Sequence, residues 1–263
     1  RFVETPRYHD HLAHVLALKY HIRPVDLILL CDNSAFDFIA AYRQRLFPKA
    51  PVVFCGINDY TPAMRRAIPH STGVAETKEM GATLDLMLRL NPRLTKVAIV
   101  CDDTRTGQIN AELLQQAAGA RRLPYTMLSG ARLTLEELLD RLRGLPSDAA
   151  VVFGSFWRDR TAAAFDAEEV LPRVAQASPV PVYTHIDAFV RGGVVGGVVV
   201  HGRQQGRLAG GLAVEILRGA QPEALPVAAQ ANVPLFDYAA LERWDIDRRL
   251  LPAGAVIINP PPP

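Results

Sequence analysis

The sequence predicts an α/β protein whose parallel sheets are covered by helices. Three observations carry this reading. Short continuous apolar runs alternate with amphipathic stretches of helical period along most of the chain. The apolar runs lack in/out alternation, as strands buried on both faces require. The runs also end in small polar, acidic or aromatic residues, where open α/β sheets carry their ligand loops.

The elements follow in order. In "HDHLAH", His11 and His14 share a helical face, and with no third ligand and no known spacing that face is expected to be solvated. "DLILLCD" at 26–32 is the first strand. A helix over 35–47 places Phe36, Ile39, Ala40 and Phe47 on one face and ends at Pro48. "PVVFCGI" at 51–57 is a strand and "STGVAE" at 71–76 a weaker one. The helix at 77–90 carries Met80, Leu84, Met87 and Leu88 at helical spacing. "KVAIVCDD" (96–103), "LPYTMLSG" (123–130), "AAVVFGSF" (149–156) and "PVYTH" (181–185) are strands. The helices between them span 107–120, 134–145 and 161–177. The second has a leucine stripe and opens on a capping box of Thr134 and Glu137. "GGVVGGVVVH" at 192–201 is glycine-spaced and β-branched, and a last long helix at 202–219 has Leu208, Leu212 and Ile216 in line.

Composition narrows the function. The 263 residues are long for one domain and comfortable for two lobes. Hydrophobic residues make up 49% and charged residues 21%, so the chain can build a real core. The 29 basic and 27 acidic residues are mixed, net +2, which leaves no basic stripe for nucleic acid. No apolar run approaches the roughly 20 residues of a membrane span. A secretory signal is not evident. The chain opens on Arg1 and closes on "NPPPP", which reads as a piece of something longer. Cys31, Cys55 and Cys101 have no metal spacing, form no even disulfide set, and are expected to pack as small hydrophobes with no second Cys nearby to activate a thiol.

Enzyme motifs are absent. "FGSFW" lacks the second glycine of a nucleophile elbow. No Walker loop, dinucleotide fingerprint or His-Glu-x-x-His occurs. No cofactor or metal is expected.

The strand ends are the candidate site. Asp32, Asn33 and Ser34 lie between a strand and a helix, where they can cap the helix, bind a polar ligand, or both. Asn58 and Asp59 follow the second strand and read as an Asx turn or as site lining. Thr104, Arg105, Thr106 and Gly107 open a helix, where hydroxyls and free N–H groups at a positive dipole end suit a carboxylate or phosphate; capping alone is the alternative. Phe156 and Trp157 can supply an aromatic wall or core. His185, Asp187 and His201 are further candidates.

Four stretches carry a family resemblance: "DLILLCDNSAFDFIAAYRQRLFPKAPVVFCGIND", "TGVAETKEMGATLDLMLRLNP", "VAIVCDDTRTG" and "LERWDIDRRLLPAGAVIINPPP". They resemble the type I periplasmic-binding-protein fold, in the branch of ABC transporter substrate-binding proteins that also supplies extracytoplasmic sensor domains of bacterial histidine kinases and cyclases. The resemblance implies two Rossmann-like lobes with parallel sheets flanked by helices and a ligand held between them. It places lobe one at 1–76 plus 197–224 and lobe two at 77–196 plus 225–236, with hinges near Glu76, Gly197 and Asn232. Residues 237–263 become a tail leading towards a membrane segment. The first lobe is expected to be N-terminally truncated, which leaves strand edges that invite a homodimer.

The function implied is an extracytoplasmic ligand-binding sensor domain, at the periplasmic or extracellular face of the inner membrane, linked covalently to membrane and signalling domains. The alternative is a free solute-binding protein of an ABC importer; an enzyme on a similar scaffold is a third reading. The expected partner is a small molecule, an amino acid or other small carboxylate.

Overall fold

The structure, a computed structural model, describes residues 5–58, 60–229 and 232–261. In chain order the elements are α1 (Pro6–Tyr20), β1 (Ile28–Cys31), α2 (Asn33–Leu46), β2 (Val52–Ile57), α3 (Pro62–Ala67), β3 (Ser71–Ala75), α4 (Met80–Leu90) and β4 (Lys96–Cys101). Then come α5 (Arg105–Ala120), β5 (Tyr125–Ser129), α6 (Leu135–Arg143), β6 (Ala149–Phe153), α7 (Ala167–Ala177), β7 (Val182–Thr184) and β8 (Gly196–Val199). The chain closes with α8 (Gly202–Leu217), β9 (Ala228–Ala229), β10 (Val233–Asp237), α9 (Tyr238–Arg243) and β11 (Val256–Ile258). They sort into two compact units, Arg1–Thr77 with Gly202–Ala231, and Lys78–His201 with Asn232–Pro263.

The first unit holds a sheet of order β1-β2-β3-β9, parallel throughout. Phe36, Phe38 and Ile39 of α2 pack with Val52, Phe54 and Ile57 of β2 on one face. Val53, Cys55 and Val74 meet Ala209, Ala213 and Ile216 of α8 on the other. Burial on both faces is what the unalternated strand runs encode.

The second unit holds a sheet of order β11-β10-β8-β7-β6-β4-β5, parallel except where β10 runs against β8. Met80, Leu84 and Met87 of α4 pack with Val97, Ile99 and Val152 on one face. The leucine stripe of α6 packs with Val151, Val170 and Val174 on the other. The capping box forms as read: Thr134 accepts from the Glu137 N–H and the Glu137 carboxylate accepts from the Thr134 N–H.

Four boundaries differ from the sequence reading. The helix expected from 161 starts at Ala167, because Asp159 accepts from the Thr161 N–H, the Thr161 hydroxyl and the Ala163 N–H and holds a turn, while Asp166 caps the helix. The "GGVV" strand β8 belongs to the second unit, paired with β7 and β10, so the chain changes units after His201 and not near Gly197. Conversely, β9 pairs with β3, so the chain through Ala229 remains in the first unit. The expected tail from 237 onward folds into the second unit: Leu241 and Ile246 join its core, β11 pairs with β10, and Asn259 donates to Asp237 at 2.7 Å.

Candidate functional site

In the first unit the carboxyl ends of β1 and β2 are clasped by two asparagines. The Asn58 N–H donates to Asn33 Oδ1 at 2.9 Å, and the Asn33 amide donates to the Asn58 carbonyl at 3.3 Å. The helix cap is Asp32: its carboxylate accepts from the Asn33 N–H, and its carbonyl accepts from the Phe36 N–H. Asp32 holds φ +78 and ψ 157, a region that suits glycine and strains an aspartate. Ser34 is exposed as the second residue of α2. Asp59 lies outside the described residues.

The same edge contains a residue that sequence reasoning missed. Gln205 of α8 is buried, accepts from the Gly56 N–H at 2.6 Å and donates to Glu76 at 3.2 Å. Gly56 has φ +65, a backbone conformation that glycine adopts without strain. The signal was present: Gln205 lies on the buried stripe of α8 with Ala209, Ala213 and Ile216.

In the second unit the carboxyl ends of β4, β6, β7 and β8 stand side by side. Thr104 caps α5, accepting from the Gly107 N–H at 3.1 Å. A carboxylate of the chain itself lies at this helix start. Asp102 Oδ1 accepts from the Thr104 N–H at 2.9 Å and from its hydroxyl at 2.5 Å, and Oδ2 accepts from the Trp157 N–H. A Cβ on Gly107 would stand 2.1 Å from that carboxylate, so the glycine makes room for Asp102. Arg105 and Thr106, the first two helical residues, are exposed.

Of the two readings offered for Phe156, wall or core, the structure shows the core. It is buried in the core, its ring 6.0 Å from that of Phe165. Trp157 is half-buried, with its ring 5.7 Å from that of Phe189, and is the aromatic left at this edge.

One strand over, His185 follows β7 and Ser155 follows β6, just beyond the register pair Phe153–Thr184. Each is 1% exposed. Neither ring nitrogen of His185 nor the Ser155 hydroxyl has a hydrogen-bond partner among the described residues. Burial, and then the nearby charge of Lys78, push the imidazole down to about 3, so the ring is neutral. The Lys78 ammonium donates to Asn110 at 3.0 Å. Asp187 and His201 face each other at 3.5 Å. Ser155, Lys78 and Gln205 were not singled out from sequence, because their roles depend on which strand ends are neighbours.

Cys31 is exposed and Cys55 buried, with their sulfurs 3.2 Å apart. Cys55 and Cys101 pack in the cores as expected, but the reading that no second Cys lies nearby is corrected: Cys31 and Cys55 are register partners across β1 and β2.

Two units of parallel sheet flanked by helices, with polar groups gathered at strand ends, define a type I periplasmic-binding-protein fold. Residues 47–247 match the family described as ABC transporter substrate binding protein, and the chain belongs to that family. Among solved structures it is similar to a ligand-free, open substrate-binding protein with adhesive properties from Clostridium difficile (14% identity, TM-score 0.68, covering 97% of this chain and 83% of that one). It is also similar to an ABC domain from Streptococcus pneumonia in complex with L-Trp (16% identity, TM-score 0.62, 94% and 84%). A conserved domain protein from Vibrio cholerae gives 14% identity, TM-score 0.62, 95% and 83%. No curated protein matches the chain. No helix among the described residues is long and apolar enough to cross a membrane.

Proposed function

We propose that this protein binds a small polar ligand, an amino acid or other small carboxylate, at the carboxyl ends of its parallel strands. One observation carries the reading. Ser155 and His185 bury polar atoms that have no partner among the described residues, at the strand ends of the second unit. Leaving such groups unpaired costs roughly 1–3 kcal/mol each, a cost a ligand removes by supplying the missing bonds. A neutral imidazole has one donor and one acceptor, which suits a ligand carrying both. Trp157 provides the apolar contact. In the first unit Asp32, Asn33 and Asn58 are the contributing groups.

The chain passes between the two units at three places, after Thr77, after His201 and before Asn232. Family membership favours a docked importer as the reader of the bound state, outside the cytoplasmic membrane. The C-terminal resemblance favours a covalently linked signalling partner, and the full-length gene product separates the two.

A thermal-shift screen tests the reading, since a ligand that binds only the native state raises the midpoint. The Streptococcus structure holds L-Trp, so amino acids head the screen. The expected result is a raised midpoint with one class of small polar compound, and the compound recovered unchanged. No shift for any polar metabolite, or a shift abolished by neither Ser155→Ala nor His185→Gln, sinks the assignment.

A further inference from the structure

We propose that Cys31 and Cys55 are an oxidisable dithiol that closes to an intramolecular disulfide by exchange with a low-molecular-weight disulfide. The geometry carries this. The two residues are register partners on adjacent parallel strands. Such strands lie about 4.8 Å apart, within the roughly 4.4–6.8 Å between Cα atoms that a disulfide spans. The sulfurs are already 3.2 Å apart, so side-chain torsion alone must close them to about 2.05 Å. Cys31 is exposed and can meet a reagent; Cys55 is buried behind it.

The exchange runs in two steps. The Cys31 thiolate attacks one sulfur of the reagent disulfide, forming a mixed disulfide and releasing one thiolate. The Cys55 thiolate then attacks the Cys31 sulfur and expels the second reagent thiolate. The cysteines lose two protons and two electrons; the reagent gains both electrons and leaves as two thiols. Burial first, and then the contact with Cys31, hold the Cys55 thiol up at about 12, so closure is the slow step and quickens at alkaline pH. The pair lies beneath the first-unit edge: Asp32 follows Cys31, Gly56 follows Cys55, and the Cys31 sulfur lies 3.6 Å from where a Cβ on Gly56 would stand.

The test incubates the folded protein with glutathione disulfide at mildly alkaline pH, quenches with acid, alkylates under denaturing conditions and reads the mass. Cys101, buried in the second unit, is the internal control. The expected wild-type product has lost two of its three thiols together with no glutathione retained. Cys55→Ser stops at a glutathione adduct on Cys31, and Cys31→Ser keeps Cys55 reduced. A wild-type adduct on Cys31 that persists at alkaline pH while Cys55 stays alkylatable overturns the proposal, as does no reaction at Cys31. If Cys55→Ser does not fold, wild type and the exposed-site variant Cys31→Ser decide between these outcomes.

Discussion

The Trp157 N–H donates to Oδ2 of Asp102 at 2.5 Å, and this bond ties the end of β6 to the start of α5. Asp102 is buried and accepts from Thr104 with its other oxygen. The carboxylate is therefore a strut between two strand ends, and Gly107 is the residue that admits it. Helix propensity alone says that Gly107→Ala should stabilise α5 by about 1 kcal/mol. Packing says the opposite, because the new Cβ would lie 2.1 Å from Asp102 Oδ1 and 2.6 Å from its carbonyl oxygen. The expected result in urea unfolding is a net loss of about 1–3 kcal/mol, as for an overpacked core. A more stable variant would refute the strut.

The two threonines at this helix start separate capping from binding. Thr104 caps, so Thr104→Val should cost about 1–2 kcal/mol of stability. Thr106 is exposed and caps nothing, so Thr106→Val should change stability by no more than about 0.5 kcal/mol. Its affinity for the ligand is then a clean readout. A lost bond to a charged ligand group lowers affinity about tenfold to a hundredfold. Unchanged affinity by calorimetry removes Thr106 from the site and leaves the second unit's contacts to Ser155, Trp157 and His185.

Asp32 carries the opposite relation between stability and function. Its positive φ with ψ 157 costs about 1–3 kcal/mol for a residue with a Cβ. Replacing an N-cap aspartate by glycine costs only a few tenths of a kcal/mol. Asp32→Gly should therefore raise the melting temperature while weakening ligand binding, and Asp32→Ala should lower both. If Asp32→Gly lowers the melting temperature, the strain at this turn is not real. If it raises the temperature and keeps full affinity, the carboxylate does not touch the ligand.

The alternation of strand and helix was legible because each parallel strand is buried on both faces and leaves a continuous apolar run, as "VVF" of β2 and "AVVF" of β6 do. The capping box of α6 was legible because both partners lie within four residues. The two-residue strand β9 and the late strand β11 were not, since neither is long enough to show a period and each exists only through its neighbour. The candidate site divides the same way. Strand ends mark where Asp32, Asn33, Thr104 and Trp157 fall. Whether such a residue caps, braces or faces a ligand depends on groups far away in sequence. Asp102 meeting Trp157 across 55 residues, and Cys31 meeting Cys55 across 24, are set by sheet register, which no local pattern encodes.

His185 should give the protein an acid-sensitive stability. Burial pushes the imidazole down to about 3 from an ordinary 6.5, with Lys78 adding to the effect. The folded state keeps the ring neutral until about pH 3, whereas the unfolded chain takes up a proton near pH 6.5. Between these values the unfolded state binds more protons, so stability is fully present above about pH 6.5 and falls as the pH is lowered towards 3. The slope for one such group is about 1.4 kcal/mol per pH unit at its steepest. Carboxylates elsewhere add their own acid dependence, so the comparison must be made against His185→Gln, which keeps a polar side chain and cannot titrate. Unfolding free energies measured by denaturant at several pH values from 7 to 4 should fall more steeply for wild type than for the variant. A ligand that bonds the neutral ring holds it neutral, so affinity should stay flat across this range. Parallel slopes for the two proteins would mean that the ring reaches solvent in the folded state, and would remove His185 from the buried site along with the bond it is expected to offer a ligand.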